Sequence, residues 1–166
     1  MLSYDYCETP HGTLTLVKSD RGLCFLGLPN ATQEQIAAWA DKRFRGSQLM
    51  HVPGCCRREA QELQQYFAGS RTSFALALDH RNTPFAKQAL AEVSRVPYGQ
   101  TATYGDIAGR MGRPGAARAV GRAVAANPLA IVIPCHRIMG SGGRFTGYGG
   151  GLELKRTLLD LESRAA

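Results

Sequence analysis

The apolar residues of this 166-residue chain change their spacing near residue 81, and that change limits the folds open to it. Upstream, "GTLTLVKS" and "TSFALALD" alternate apolar with polar residues, the two-residue period of half-buried strands. "GLCFLGL" follows the first of these after the turn-forming "SDRG", so a hairpin is expected there. Two helices are expected in the same part. "ATQEQIAAWADKRF" puts Ile36, Trp39 and Ala40 or Arg43 at helical spacing behind Thr32 as a cap, and "CCRREAQELQQYFAG" turns Leu63, Tyr66 and Phe67 inward and stops at Gly69.

From "HRNTPF" onward the period is helical. Thr83 and Pro84 suit an N-cap and first turn, and Phe85, Ala89, Val93 and Val96 form one stripe. "TYGDIAGRM" and "PGAARAVGRAVAA" read as two short helices, with Thr103 and Asp106 as a capping box and Pro114 at the second start. Such a pair has the dimensions of a helix-turn-helix, or of a plain helical hairpin. "LAIVI" reads as a fully buried strand ended by Pro134. After the glycine-rich "GSGGRFTGYGGG" comes a last helix, "LELKRTLLDLES", with Leu154, Leu158 and Leu161 as its stripe. The expected architecture is α/β: a small sheet-plus-helix domain over residues 1–80, then a mostly helical domain over 81–166 containing the helix-turn-helix.

Charge follows the same division. Residues 1–80 hold eight Lys and Arg against eight Asp and Glu, whereas residues 81–166 hold twelve against five, so the whole net charge of +7 lies in the second part. No acid stands between Asp106 and Glu153, while Arg110, Arg113, Arg118, Arg122, Arg137 and Arg144 do. A field of one sign attracts polyanions, although a solvated basic face would have the same composition. In the second short helix Arg118 and Arg122 share a face and Val120 and Val124 nearly the opposite one. Gly115, Ala116, Ala117, Ala119 and Ala123 leave little bulk, which suits close approach to a DNA groove.

"IPCHR", residues 133–137, sets a cysteine beside a histidine at the end of the aliphatic run. A thiolate is the reactive form, and histidine or concentrated positive charge lowers a thiol's pKa. Neighbouring side chains on an extended chain point apart, so Cys135 and His136 need not touch, and an inert buried residue is the commonest fate of a cysteine. Glu162, at the edge of the last helix's stripe, is the candidate to orient His136, and Asn127 either caps the arginine helix or forms an ordinary turn. The glycine-rich loop lacks a phosphate-loop ending but can offer backbone amides to a flat ligand, with Tyr148 as a wall. Cys55 and Cys56 are adjacent rather than C-x-x-C, and His11, His51 and His80 have no metal-site spacing, so no metal is expected.

"NPLAIVIPCHRI", "GRPGAARAVGRA", "TYGDIA" and "TGYGGGLELKRTLL" resemble the signature segments of the O6-alkylguanine-DNA alkyltransferases, densely over residues 81–164 and only in general layout before that. The resemblance implies a ribonuclease H-like N-terminal domain and irreversible transfer of an alkyl group from O6 of a flipped guanine to Cys135, with no cofactor. It implies further that His136 and Glu162 deprotonate Cys135 through a water and that Asn127 ties the recognition helix to the active segment. Arg118 would replace the extruded base, and Tyr104 would push the phosphate and bond the guanine. Arg122, Ala117 and Gly121 would face DNA, and Tyr148, Gly149 and Lys155 would line the substrate pocket. The chain departs from the pattern at Leu90, where tryptophan is common, at Gly149, where some members have serine, and at Cys7 and Cys24, which miss the zinc register of some members.

Two other functions stay open at this level. A non-catalytic lesion-binding relative would share the DNA surface but lack the cysteine, and a cysteine hydrolase would turn over many times and need no arginine helix. The expected partner is double-stranded DNA carrying O6-alkylguanine, met by a monomer. No apolar run reaches the roughly 18 residues of a membrane span, and "MLSYDYCETPHG" has no secretion signal. Five cysteines, an odd number, are therefore expected to be reduced in a cytoplasm.

Overall fold

A computed structural model describes residues 1–165 and divides into two compact units, Met1–Arg81 and Asn82–Ala166. The first is a sheet with helices and the second is mostly helical.

The N-terminal sheet has the order β3-β2-β1-β4. Strands β1 (Leu2–Thr9) and β2 (Gly12–Lys18) pair antiparallel, as do β2 and β3 (Leu23–Gly27), and β4 (Leu49–His51) lies parallel to β1. The expected β2–β3 hairpin is present, closed by a hydrogen bond from Ser19 N–H to the Gly22 carbonyl at 2.9 Å. Strands β1 and β4 are not among those expected from the sequence. Alternation sorts the side chains. Leu2 and Val17 face helix α1 (Gln33–Arg43), where Ile36, Ala40 and Phe44 complete a core, while Cys7 Sγ reaches the Ala60 carbonyl of helix α2 (Arg57–Phe67) on the other side. Thr32 caps α1 in a full capping box with Gln35, and Gly69, at φ 76°, ends α2. On α2 the buried face is Glu59, Glu62, Leu63 and Tyr66; Phe67 is only half-buried.

The alternation in "TSFALALD" does not give a strand. A single parallel bridge joins Leu78 to Leu23, and upstream of it the backbone is satisfied by side chains. The Glu62 carboxylate accepts from Ala75 N–H at 2.9 Å, Arg58 donates to the Ala75 carbonyl at 2.6 Å, and Arg71 donates to the Ser73 carbonyl at 2.9 Å. Gly22 has φ 150°, and any Cβ there would collide with the Ala77 carbonyl, so only glycine lets this segment close on β3.

In the C-terminal unit, helix α3 (Pro84–Ser94) starts as expected, with Thr83 Oγ1 accepting from Ala86 N–H at 3.3 Å. Helices α4 (Tyr104–Arg110) and α5 (Ala117–Ala125) follow in tandem and pack with α3 through Ala89, Leu90, Val93, Ile107, Ala108, Val120 and Val124. Thr103 and Asp106 form the capping box of α4, whereas α5 begins three residues after Pro114. Residues 113–116 are instead a turn closed by Ala116 N–H on the Arg113 carbonyl at 2.9 Å, which removes Gly115 and Ala116 from the helix. Strands β5 (Ala102–Thr103) and β6 (Ile138–Met139) form a short parallel pair. The last helix, α6 (Leu152–Ala165), buries Lys155, Leu158 and Glu162, while Leu154 and Leu161 are half-buried. Its inward face is thus rotated from the leucine stripe, because two charged side chains find partners inside.

Candidate functional site

The segment "LAIVI" is buried but is not a strand; it folds back on itself. Ile133 N–H donates to the Leu129 carbonyl at 2.8 Å, and Val132 N–H donates to the Ala130 carbonyl at 2.9 Å around Ile131, whose φ is 73°. A β-branched residue at positive φ is strained and is tolerated only where its surroundings fix it; Ile131 is fully buried. A second three-residue turn follows, with Pro134 at φ −79° and ψ 62° and Cys135 N–H donating to the Ile133 carbonyl at 2.7 Å. Cys135, His136 and Arg137 then make one 3₁₀ turn into β6. Cys135 is therefore presented at a corner, not on an extended chain, and the alternation argument for His136 does not apply.

Asn127 closes this corner. Its side-chain carbonyl accepts from Leu129 N–H at 3.0 Å, and its amide donates to the Ile133 carbonyl at 3.0 Å. It spans the two ends of the folded-back segment and does not cap α5, whose end is satisfied by backbone bonds from Ala126 and Asn127 N–H.

The corner is backed by a buried charge network. His136 and Glu162 are both fully buried, with Nε2 to Oε1 at 2.7 Å. Arg137 grips the same carboxylate with Nε and Nη2, each at 2.9 Å, and donates Nη1 to the Val96 carbonyl at 2.7 Å. Gly99 N–H adds a bond to Oε2 at 3.3 Å. Burial alone would raise the Glu162 pKa, but the hydrogen bonds from His136 and Arg137 and their charges hold it down to about 2. The carboxylate is thus ionised at neutral pH and can only accept. His136 Nε2 must then carry the proton, which leaves the basic lone pair on Nδ1. Burial lowers the His136 pKa, against the pull of Glu162, so the ring is a neutral base.

Cys135 is 7% exposed. Burial raises its pKa; the Asn127 amide and then the Lys155 charge act the other way. Lys155 is fully buried, and its Nζ donates to the Ile138 carbonyl at 2.6 Å and the Thr146 carbonyl at 3.5 Å, so it holds β6 and the glycine-rich loop together. Thr146 Oγ1 meets the Tyr104 hydroxyl at 2.8 Å. Gly140 is where that loop departs, and a Cβ there would come within 2.8 Å of Thr146 Cγ2. The Tyr148 hydroxyl is buried with no hydrogen-bond partner among the described residues. Burial, and then the charges of Cys135 and Glu162, push its pKa well above the usual tyrosine value. Gly149 is exposed in the same loop.

On the outer side, Arg118 and Arg122 are exposed on one face of α5, opposite buried Val120 and Val124. Ala117 and Gly121 lie half-buried on the same helix, and a Cβ at Gly121 would sit 3.9 Å from the Tyr104 ring. Arg110, Arg113 and Arg144 are exposed too. Arg137 is not: it belongs to the internal network and drops out of the basic surface. Sequence reasoning missed Arg137 and Thr146 as parts of the site. Arg137 could have been found, since a buried "CHR" turn leaves its guanidinium no solvent to reach; Thr146 carries no signal. Among the described residues no group of three or more His, Cys, Asp or Glu could hold a metal ion, and no helix is long and apolar enough to cross a membrane.

Residues 2–80 match the family described as "6-O-methylguanine DNA methyltransferase, ribonuclease-like domain", and residues 84–164 match "6-O-methylguanine DNA methyltransferase, DNA binding domain". The inducible methylated-DNA–protein-cysteine methyltransferase of Bacillus subtilis is 43% identical over 88% of this chain and 82% of its own length. The methylated-DNA–protein-cysteine methyltransferase of Mycolicibacterium paratuberculosis is 41% identical over 99% of this chain and 94% of its own. Among solved structures, Mycobacterium tuberculosis OGT in complex with DNA superposes with a TM-score of 0.86 at 40% identity, covering 99% of this chain and 94% of that one. With both parts of the chain matched and such identity along its whole length, the chain belongs to the methylated-DNA–protein-cysteine methyltransferase family.

Proposed function

We propose that this protein repairs double-stranded DNA by direct reversal, moving the alkyl group of O6-alkylguanine onto Cys135. The observation that carries the reading is Cys135 held at a strained corner in front of the buried His136–Glu162–Arg137 network. Arg118, Arg122 and the small residues Ala117 and Gly121 bring α5 to the groove. Arg118 enters the stack as the damaged nucleotide leaves it, and Tyr104 turns the phosphate and then bonds the base. Extrusion takes a few kcal/mol, which the inserted side chain partly offsets.

The flipped guanine lies against Tyr148, with backbone amides of the Tyr148–Gly149 segment reading its edge and Lys155 holding the loop in place. Neutral His136 takes the Cys135 proton on Nδ1 through a water, and Glu162 stabilises the resulting imidazolium. The thiolate attacks the alkyl carbon. The S–C bond forms, the C–O6 bond breaks, and its electron pair leaves on guanine O6 to be neutralised by a proton from the site. A thioether is a poor leaving group, so each molecule reacts once. No cofactor enters the scheme, a monomer suffices, and a reducing compartment such as the cytoplasm fits five free thiols.

Intact-mass analysis after incubation with O6-methylguanine duplex tests this. One methyl on the peptide containing Cys135 and a product plateau at about one equivalent are expected. Cys135→Ala should abolish transfer yet keep salt-sensitive DNA binding. Product accumulating past stoichiometry would instead identify a cysteine hydrolase.

A further inference from the structure

The N-terminal unit holds two neighbouring thiols for which alkyl transfer has no use. Cys55 Sγ and Cys56 Sγ lie 3.5 Å apart. Cys56 is buried at the N-cap of α2, its thiol facing the Leu16 carbonyl at 3.5 Å, and Cys55 is half-buried. The turn that carries them is tied down on both sides. Gly54 N–H donates to the Asp5 carboxylate at 2.6 Å, Cys55 N–H to the Val52 carbonyl at 3.1 Å, and Ala60 N–H to the Cys56 carbonyl at 2.8 Å. The two sulfurs are thus a fixed pair with one side open. Cys7 and Cys24 are instead sealed against the Ala60 and Val17 carbonyls.

The spacing selects the chemistry. A disulfide needs about 2.05 Å, so the sulfurs would have to close by roughly 1.5 Å around a single peptide bond. Burial, then the contact with Cys55 and the Glu59 charge, raise the Cys56 pKa and make it a poor thiolate for closing such a bond. A three-coordinate thiophilic atom has no such difficulty. With bonds of about 2.3 Å to each sulfur, as in metal thiolates, a 3.5 Å separation corresponds to an S–X–S angle of about 100°, near that of a pyramidal atom bearing a lone pair.

We propose that Cys55 and Cys56 form a dithiol capture site for trivalent organoarsenicals. An arsonous acid, R–As(OH)₂, condenses with both thiols: two S–H and two As–O bonds break, two S–As bonds form, and two waters leave carrying the thiol protons. Arsenic stays trivalent, and no oxidant is required. The inference stands independently of the alkyl-transfer reading.

The test uses the full chain carrying Cys135→Ser, which removes the other candidate nucleophile, titrated with phenylarsine oxide. One phenylarsenic group per chain is expected, with two hydrogens lost, on the peptide containing Cys55 and Cys56. It should survive excess monothiol and be released by 2,3-dimercaptopropanol. Cys55→Ser, at a half-buried position, should weaken retention by about 10²–10⁴-fold through loss of the second bond. An adduct on Cys7 or Cys24, unchanged retention in Cys55→Ser, or no adduct would overturn the proposal.

Discussion

Replacing Glu162 by glutamine keeps the shape of the buried network and removes its only negative charge, so its effect can be worked out closely. The carboxylate accepts from His136 Nε2, Arg137 Nε and Nη2, and Gly99 N–H. A glutamine amide offers one acceptor oxygen and aims its NH₂ at groups that also donate. Breaking a buried pair and leaving the Arg137 charge uncompensated destabilises by about 3–5 kcal/mol. The pKa gives an independent figure. A fall from an ordinary 4.5 to about 2, at about 1.4 kcal/mol per pH unit, is worth about 3 kcal/mol. Thermal unfolding at pH 7 should therefore drop by on the order of 10 °C. The sign of the pH dependence follows from the depressed pKa. The stabilisation is complete above pH 4.5 and is lost as pH falls toward 2, so the two melting curves should converge across that window. Other carboxylates are common to both proteins and cancel in the difference. Single-turnover transfer should also slow by roughly 10²-fold, since His136 loses the anion that stabilises its charged form. A difference under about 1 kcal/mol at pH 7, or one that stays constant down to pH 2, would refute this account of the network.

Arg118→Ala should slow repair of duplex DNA strongly and leave reaction with free O6-benzylguanine nearly intact; equal losses on both substrates would remove Arg118 from base extrusion. Asn127→Ala removes the side-chain acceptor of Leu129 N–H and leaves the Ile133 carbonyl with Cys135 N–H alone, so it should lower unfolding stability by about 1–3 kcal/mol in denaturant titrations and slow transfer as the Cys135 corner loosens. Dialysis against a chelator should leave the single-turnover rate unchanged, and a loss restored by zinc would show that the cysteines had been misassigned.

Local rules on the sequence determined much of this protein. The caps at Thr32, Thr83 and Thr103, the β2–β3 hairpin, the tandem helices α4 and α5 and the outward arginines of α5 are all readable from neighbours within four residues. The "PCHR" motif and the one-signed charge of the second part pointed to the chemistry for the same reason: they are properties of residue type and order. What only the tertiary structure decided depends on partners distant in the chain. "TSFALALD" has the alternation of a strand, but Glu62, Arg58 and Arg71 take its backbone bonds. "LAIVI" has strand composition, but Asn127 and close packing fold it into the corner that presents Cys135, with Ile131 held at positive φ. Lys155, Arg137 and Glu162 would be surface residues by type. They are inside because each charge meets a carbonyl or a counter-charge there, and helical periodicity counts apolar side chains without registering such compensation.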